Sequence, residues 1–250
     1  MMSQLVTTNR SAANPDRYEV AGSVHLGQHS HSWSWWNRQQ LRRHFALDTE
    51  TEPIIGPRVP RLAMVSVSDG RQNYVLQPRQ LPDFLMQHLP NQYQMICHNV
   101  AFDSWAMERD LTDLGAGMAL DWLWSAVEEQ RVHDTMLLAG LVSLAESDDD
   151  RLPSLADAVQ QYCGYQLEKD TYRTRYAETI HQDWTKLDPG FFEYVVSDAI
   201  ATYQLYVQLT REAKHIVEQA GASRQYGFLT EAIQVKAAIW PSPFKLIQSS

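Results

Sequence analysis

The chain has 250 residues, a hydrophobic fraction of 44% and a formal net charge of −9. This length suits one sizeable domain with extensions, and the apolar fraction is sufficient for a buried core. The negative charge argues against a broad basic surface that grips nucleic acid. No apolar stretch approaches membrane-spanning length, and the N-terminus lacks the apolar region of a signal peptide. We therefore expect a cytoplasmic protein without membrane contact.

Residues 1–43 form a polar N-terminal extension that ends in a tryptophan-rich segment. The first thirty residues carry scattered Gly, Ser, Asn and His, and we expect them to be poorly ordered. The segment at 33–43 is predicted as a short helix whose tryptophans pack on the domain, because tryptophan is usually buried. An aromatic and basic platform for nucleic acid is the alternative.

The next part of the chain predicts alternating strands and helices. Apolar runs indicate strands at residues 45–48, 62–68, 74–76 and 94–97, and Asp69-Gly70 predicts a hairpin turn between the second and third of these. Pro82 suits the first turn of a helix that ends near residue 89. This order predicts an α/β fold with a mixed sheet flanked by helices on both faces.

Two carboxylates lie at the end of the first of these strands, in Asp48-Thr49-Glu50. Side chains alternate along a strand, so Asp48 and Glu50 point to the same side. Two like charges aimed at one place repel each other unless a cation lies between them, and a divalent cation prefers oxygen ligands. The alternative is a strand that ends in a solvated polar turn.

Two later segments place further carboxylates beside apolar residues. Asp103 follows Asn99 in a predicted helix that comes directly after the strand at 94–97. Asp198 lies four residues after Tyr194 in a long helix that Asp188-Pro189 is predicted to begin. Residues four apart on a helix share a face, so Tyr194 and Asp198 are expected at the same margin of the sheet.

Together the three segments resemble the motifs of a known enzyme family. Asp48-Thr49-Glu50, Asn99-Val100-Ala101-Phe102-Asp103 and Tyr194-Val195-Val196-Ser197-Asp198 resemble the three motifs of the DEDD 3′→5′ exonucleases, and the tyrosine places the chain in the DEDDy branch. The resemblance covers about residues 45–211 and is greatest to the proofreading domains of family A DNA polymerases. It implies a ribonuclease H-like fold.

The resemblance also implies a metal site and roles for its residues. Asp48, Glu50, Asp103 and Asp198 would bind two Mg²⁺ or Mn²⁺ ions, with Asp48 bridging both and Asp103 serving the second ion through water. Tyr194 would orient the attacking water, since an unperturbed tyrosine, with a pKa of about 10, is a poor base at neutral pH.

Three further residues are candidate substrate contacts. Thr49 lies between the two carboxylates of the first motif, and Ile54, shortly after it, is placed to contact the terminal base. Asn99 is either a contact to the substrate strand or the N-cap of the helix that carries Asp103.

These observations predict an exonuclease domain at residues 44–219 and a helical C-terminal extension at 220–250. The expected activity is the release of nucleoside monophosphates from single-stranded 3′ ends, with DNA favoured over RNA and a DNA polymerase as a possible partner. An RNA 3′-end trimmer of the ribonuclease D type is one alternative. A non-catalytic subunit that binds a polymerase or nucleic acid is the other, although all four carboxylates are present.

Overall fold

The structure is a computed structural model that describes residues 7–10, 18–147, 151–167 and 171–219. The predicted C-terminal extension at 220–250 and the acidic residues 148–150 lie outside these ranges. Within the described ranges, no helix is both long enough and apolar enough to span a membrane.

One eight-stranded mixed sheet, in the order β1-β2-β3-β6-β5-β4-β7-β8, organises the molecule. The strands are β1 Thr7–Arg10, β2 Tyr18–Leu26, β3 His29–Trp35, β4 His44–Thr51, β5 Leu62–Ser68, β6 Asn73–Leu76, β7 Gln94–Cys97 and β8 Val132–Asp134. The pairs β3·β6, β4·β7 and β7·β8 are parallel and the others are antiparallel. The predicted α/β class and ribonuclease H-like mixed sheet are therefore confirmed.

The described ranges contain six α-helices. They are α1 Leu81–His88, α2 Val100–Asp113, α3 Gly117–Glu128, α4 Thr135–Ser147, α5 Leu155–Cys163 and α6 Pro189–Gln219. Helices α1, α2 and α3 pack on one face over side chains such as Phe45, Leu47 and Val65. The start of α6 packs on the other face over Met64 and Val75. The centre of β4 is thus covered on both sides.

The N-terminal residues differ from the sequence-based expectation. The tryptophan-rich segment begins as strand β3, not as a helix, and residues 18–26, expected to be poorly ordered, form β2. The alternation of Trp33 with Ser32 and Ser34 is a strand pattern, and Trp33 is 2% exposed. Its ring centroid lies 5.4 Å from that of Phe192 on α6. The expectation that the tryptophans pack on the domain is therefore correct at Trp33.

Replacing Trp33 with Ala should lower the free energy of unfolding by about 3–5 kcal/mol, because it leaves a large cavity between β3 and α6. The exposed His29→Ala on the same strand is the control and should change stability by about 0.5 kcal/mol or less. Chemical denaturation followed by fluorescence measures both. A loss below about 1 kcal/mol at Trp33 would show that the β2–β3 hairpin does not unfold with the rest of the domain.

Candidate active site

The carboxylates of Asp48 and Glu50 lie on the face of β4 that α6 covers. Asp48 pairs with Ser66 of β5, and Glu50 pairs with Met64. Met64 belongs to the apolar cluster beneath α6. The predicted alternation is therefore confirmed for this strand, and both carboxylates are half-buried.

Helix α6 brings Tyr194 and Asp198 to the same place. Its first turns pack through Val195 and Ala199, which are fully buried. The Ser66 hydroxyl donates a 2.6 Å hydrogen bond to the carbonyl of Val195 and so attaches the helix to β5. Tyr194 and Asp198 remain half-buried at the margin of the packed face, as the four-residue spacing predicts.

Three carboxylates converge where β4 and α6 meet. Oxygen atoms of Asp48, Glu50 and Asp198 all lie within 4.8 Å of one another. Burial raises the pKa of Asp48 from 3.8 to about 7. Three acidic groups at this separation repel each other, and carboxylate oxygens are the ligands that hard divalent cations prefer. The donor set therefore fits a divalent metal.

The three carboxylates open into a cleft of about 530 Å³. Tyr194, Asn99, Phe102, Met136 and Ile54 are among the residues that line it. Ile54 is 65% exposed at the mouth of this cleft. The loop that carries it is held by Glu52, which accepts a hydrogen bond from the backbone N–H of Arg61 and forms a 3.2 Å ion pair with Arg109. Ile54 is thus presented on an anchored loop.

Asp103 is not part of the converging group. It is 3% exposed on α2, and its Oδ1 accepts a 2.6 Å hydrogen bond from the hydroxyl of Thr49. Burial raises the pKa of Asp103, and the charge of Asp48 raises it further, so the two carboxylates are close enough to interact. Oδ2 of Asp103 is buried without a hydrogen-bond partner in the described part of the chain. A metal ion or a water bound to it would satisfy this oxygen.

Thr49, a candidate substrate contact from the sequence, has its hydroxyl engaged within the protein, and its contact with substrate stays a prediction. Its side chain points to the opposite face of β4 from Asp48 and Glu50, where it donates to Asp103. Thr49 is 7% exposed, although the residue borders the cleft. Its hydroxyl therefore connects β4 to α2.

Asn99 precedes α2 but does not cap it through its side chain. It has a left-handed backbone with φ 79°, and its side chain makes no capping hydrogen bond. The carboxylate of Asp134 replaces this cap, since it accepts from the backbone N–H groups of Asn99 and Val100. The side chain of Asn99 lines the cleft and is left for other contacts.

Sequence reasoning did not single out Asp134 as a structural residue. Its carboxylate also accepts from the N–H groups of Met136 and Leu137 at the start of α4. One buried side chain thus caps α2 and α4 together. The sequence could predict the cap of α4, because Asp134 directly precedes that helix. It could not predict the cap of α2, because α2 is distant from Asp134 in sequence.

Tyr176 is a second residue that the sequence did not reveal. Its side chain is fully buried, its hydroxyl donates a 2.9 Å hydrogen bond to the carbonyl of Phe191, and its ring centroid lies 6.1 Å from that of Tyr194. Burial raises its pKa, and the charges of Glu50 and Asp198 raise it further. Tyr176 therefore supports the first turns of α6 from behind the carboxylates.

Comparisons with known proteins agree with this geometry. Residues 30–214 match a family model described as 3′-5′ exonuclease. A comparison with curated proteins finds no significant match.

Several solved structures have a similar fold. The exonuclease domain of Aedes aegypti Nibbler has 16% identity over 70% of this chain and 80% of its own, with a TM-score of 0.50. Brucella melitensis NrnC bound to pGG has 19% identity over 82% of this chain and 90% of its own, with a TM-score of 0.50. Trypanosoma brucei RNase D in complex with GMP has 14% identity over 74% of this chain and 57% of its own, with a TM-score of 0.51.

At these identities the solved structures establish a shared fold alone. The family model covers well over half of the chain, and Asp48, Glu50 and Asp198 all lie within the matched residues. The resemblance noted in the sequence is therefore confirmed, and the chain, which has a ribonuclease H-like fold, belongs to the 3′-5′ exonuclease family.

Proposed function

We propose that the cleft between β4 and α6 removes nucleoside monophosphates from single-stranded 3′ ends with the help of two divalent ions, Mg²⁺ or Mn²⁺. The observation that carries this proposal is the convergence of Asp48, Glu50 and Asp198 within 4.8 Å at a cleft of about 530 Å³. A non-catalytic subunit would not require three mutually repelling carboxylates at this place, so the enzyme is favoured over that alternative.

The proposed metal ligands divide between the two sides of β4. Asp48, Glu50 and Asp198 would hold an ion directly. Oδ2 of Asp103, which has no hydrogen-bond partner among the described residues, would interact with a second ion through water. A pair of divalent ions supplies an activated water and stabilises the leaving oxygen of a phosphodiester. Thr49 positions Asp103 by donating to its other oxygen.

Tyr194 is proposed to position the attacking water. It lines the cleft one helical turn before Asp198, on the same side of α6. The ring of Tyr176 packs against the ring of Tyr194, with 6.1 Å between the two ring centroids, and so restricts the orientation of Tyr194. A hydroxyl held in this way can accept or donate a hydrogen bond to water without binding a metal.

DNA is the first candidate substrate, because the resemblance in the sequence is greatest to the proofreading domains of family A DNA polymerases. RNA is a second candidate, since two proteins of the same fold are known as complexes with pGG and with GMP, and one of them is an RNase D. Association with a DNA polymerase and a cytoplasmic location stay predictions.

End-labelled single-stranded DNA and RNA of the same sequence provide the first test. Cleavage should disappear with a chelator and return with Mg²⁺ or Mn²⁺. A blocked 3′ hydroxyl should slow digestion far more than a blocked 5′ end. Efficient cutting of a closed circular strand would identify an endonuclease and contradict the proposal.

Replacing Asp48 with Asn removes one of the repelling charges at nearly constant shape. Burial raises the folded-state pKa of Asp48 from 3.8 to about 7, so its ionised carboxylate destabilises the metal-free protein above pH 7. Below pH 3.8 the carboxyl group is protonated in both the folded and the unfolded protein, and this destabilisation is absent. Asp48→Asn should therefore increase the metal-free free energy of unfolding above pH 7 by about 1–3 kcal/mol, with a smaller gain near pH 4.

The same substitution should abolish both exonuclease activity and the rise in melting temperature that metal produces in the unsubstituted protein. Thermal unfolding with and without Mn²⁺ at the two pH values measures these effects. An undiminished metal response in Asp48→Asn, or a loss of metal-free stability, would contradict the assignment.

Tyr194→Phe and Asp198→Ala separate positioning from metal binding. Tyr194→Phe retains the ring and should lower kcat by about 10²-fold or less, with metal affinity nearly unchanged. Asp198→Ala should weaken metal binding and cost far more activity. Calorimetric metal titration paired with single-turnover rates distinguishes the two. The role proposed for Tyr194 is wrong if Tyr194→Phe weakens metal binding as much as Asp198→Ala does.

A further inference from the structure

Three cavities follow one another along α6. The active-site cleft shares Leu167, Tyr194 and Asp198 with a second cavity of about 480 Å³, here called the connecting cavity. The connecting cavity shares Leu26, Gly27 and Tyr165 with a third of about 530 Å³, here called the hairpin cavity because the β2–β3 turn forms one of its walls. The adjoining cavities therefore form a groove that leads from the carboxylates along α6, on the face of the sheet that this helix covers.

The hairpin cavity differs from the active-site cleft in its chemistry. None of its described lining residues is Asp, Glu, Lys or Arg. Aromatic rings and side-chain amides supply much of its wall, among them His29, His31, Asn73, Tyr165, Tyr203 and Gln204. Flat rings for stacking and neutral hydrogen-bonding groups are what proteins use to bind nucleobases of single strands. The absence of a cation in this wall makes it a poor phosphate site.

The polar groups of this cavity are held in place. The hydroxyl of Tyr165 donates a 2.6 Å hydrogen bond to Oε1 of Gln204, and Nε2 of Gln204 lies 3.4 Å from Nε2 of His31. Asn73 is fixed by a 2.8 Å bond from its Nδ2 to the carbonyl of Ser32. Such fixed groups lose little conformational entropy when a ligand binds.

The connecting cavity restricts how a strand could cross it. Asp188, Glu193 and Asp198 line this cavity and would repel phosphates. A single strand that follows the groove must therefore turn its bases toward α6 and its phosphates toward solvent. The weak electrostatic grip expected from a net charge of −9 makes base contacts a necessary source of affinity.

We propose that the hairpin cavity binds a nucleobase of the substrate strand on the 5′ side of the nucleotide in the active-site cleft. The proposal rests on the function proposed above, which places the 3′ terminus at Asp48, Glu50 and Asp198. Helix α6 advances about 1.5 Å per residue, so Gln204 lies ~9 Å along its axis from Asp198 and Gln208 ~15 Å. About three or four stacked nucleotides at roughly 3.4 Å per step cover this distance.

This geometry makes affinity depend on strand length. A dinucleotide occupies the active-site cleft alone, whereas a strand of a dozen nucleotides reaches the hairpin cavity as well. A stacked base contributes about 1–3 kcal/mol to binding, which corresponds to about 5-fold to 140-fold in affinity. The site thus favours longer strands without taking part in the chemistry.

Two substitutions test the cavity in different ways. Gln204→Ala removes the central amide, and Val207→Trp fills the cavity from α6 without deleting a hydrogen bond. Gln160→Ala, an exposed glutamine on α5 that lines none of the three cavities, is the matched control. All three are combined with Asp48→Asn, so that binding is measured without turnover.

Fluorescence anisotropy with a labelled single-stranded dodecanucleotide, in DNA and RNA form, gives the readout, and competition by a dinucleotide gives the reference. We expect Gln204→Ala and Val207→Trp to weaken dodecanucleotide binding about tenfold and to leave dinucleotide binding unchanged. The control Gln160→Ala should change neither. Equal losses on both lengths, or no loss in either variant, would overturn the proposal.

Steady-state kinetics in the active protein separates this proposal from the proposed function. With the two substitutions, KM for the dodecanucleotide should rise about tenfold while kcat stays constant. A fall in kcat with unchanged KM would instead indicate that the groove releases product, and would overturn the base-binding role. Length-dependent binding without any hydrolysis would refute the proposed function and leave the hairpin cavity supported.

Discussion

The mutual repulsion of carboxylates on one face of β4 is the constraint on which the site depends. The period of the strand alone places Asp48 and Glu50 together, and α6 adds Asp198 at less than 4.8 Å. The fold must supply the energy that holds them there, and it does so through the buried packing of α6 on β5 and the bond from Ser66 to Val195. A divalent cation bound here would relieve this repulsion, so under the proposed function stability and catalysis act in opposite directions at Asp48.

The two faces of β4 have separate tasks that meet at its end. One face carries the converging carboxylates, and the other carries Thr49, which fixes Asp103 on α2. Asp134 connects α2 to α4, because its carboxylate accepts hydrogen bonds from backbone N–H groups at the N-termini of both helices. The negative charge suits these N-termini, where unpaired N–H groups and the helix dipole favour an anion. The orientation of Asp103 thus depends on Asp134, which is not among the residues that line the cleft.

Much of this arrangement could be predicted from local sequence patterns. Strand β5 was predicted with its observed bounds, and the spacing of Tyr194 and Asp198 correctly indicated a shared face. The alternation of tryptophan with serine favours a strand at β3, since tryptophan is common in strands, but the pairing of β3 with β6 is decided by contacts distant in sequence and could not be predicted. The separation of Asp103 from the other carboxylates could not be predicted either, since it depends on which face of β4 the helix α2 covers.

Helix α6 runs without interruption for 31 residues and forms part of both the carboxylate cluster and the hairpin cavity. A continuous helix fixes the distance and the angle between two sites through residue number alone. One inserted residue between Asp198 and Gln204 would turn every later side chain by about 100° and move it by about 1.5 Å. In evolution this segment should therefore accept substitutions far more readily than insertions or deletions, and its length should be more persistent than its composition.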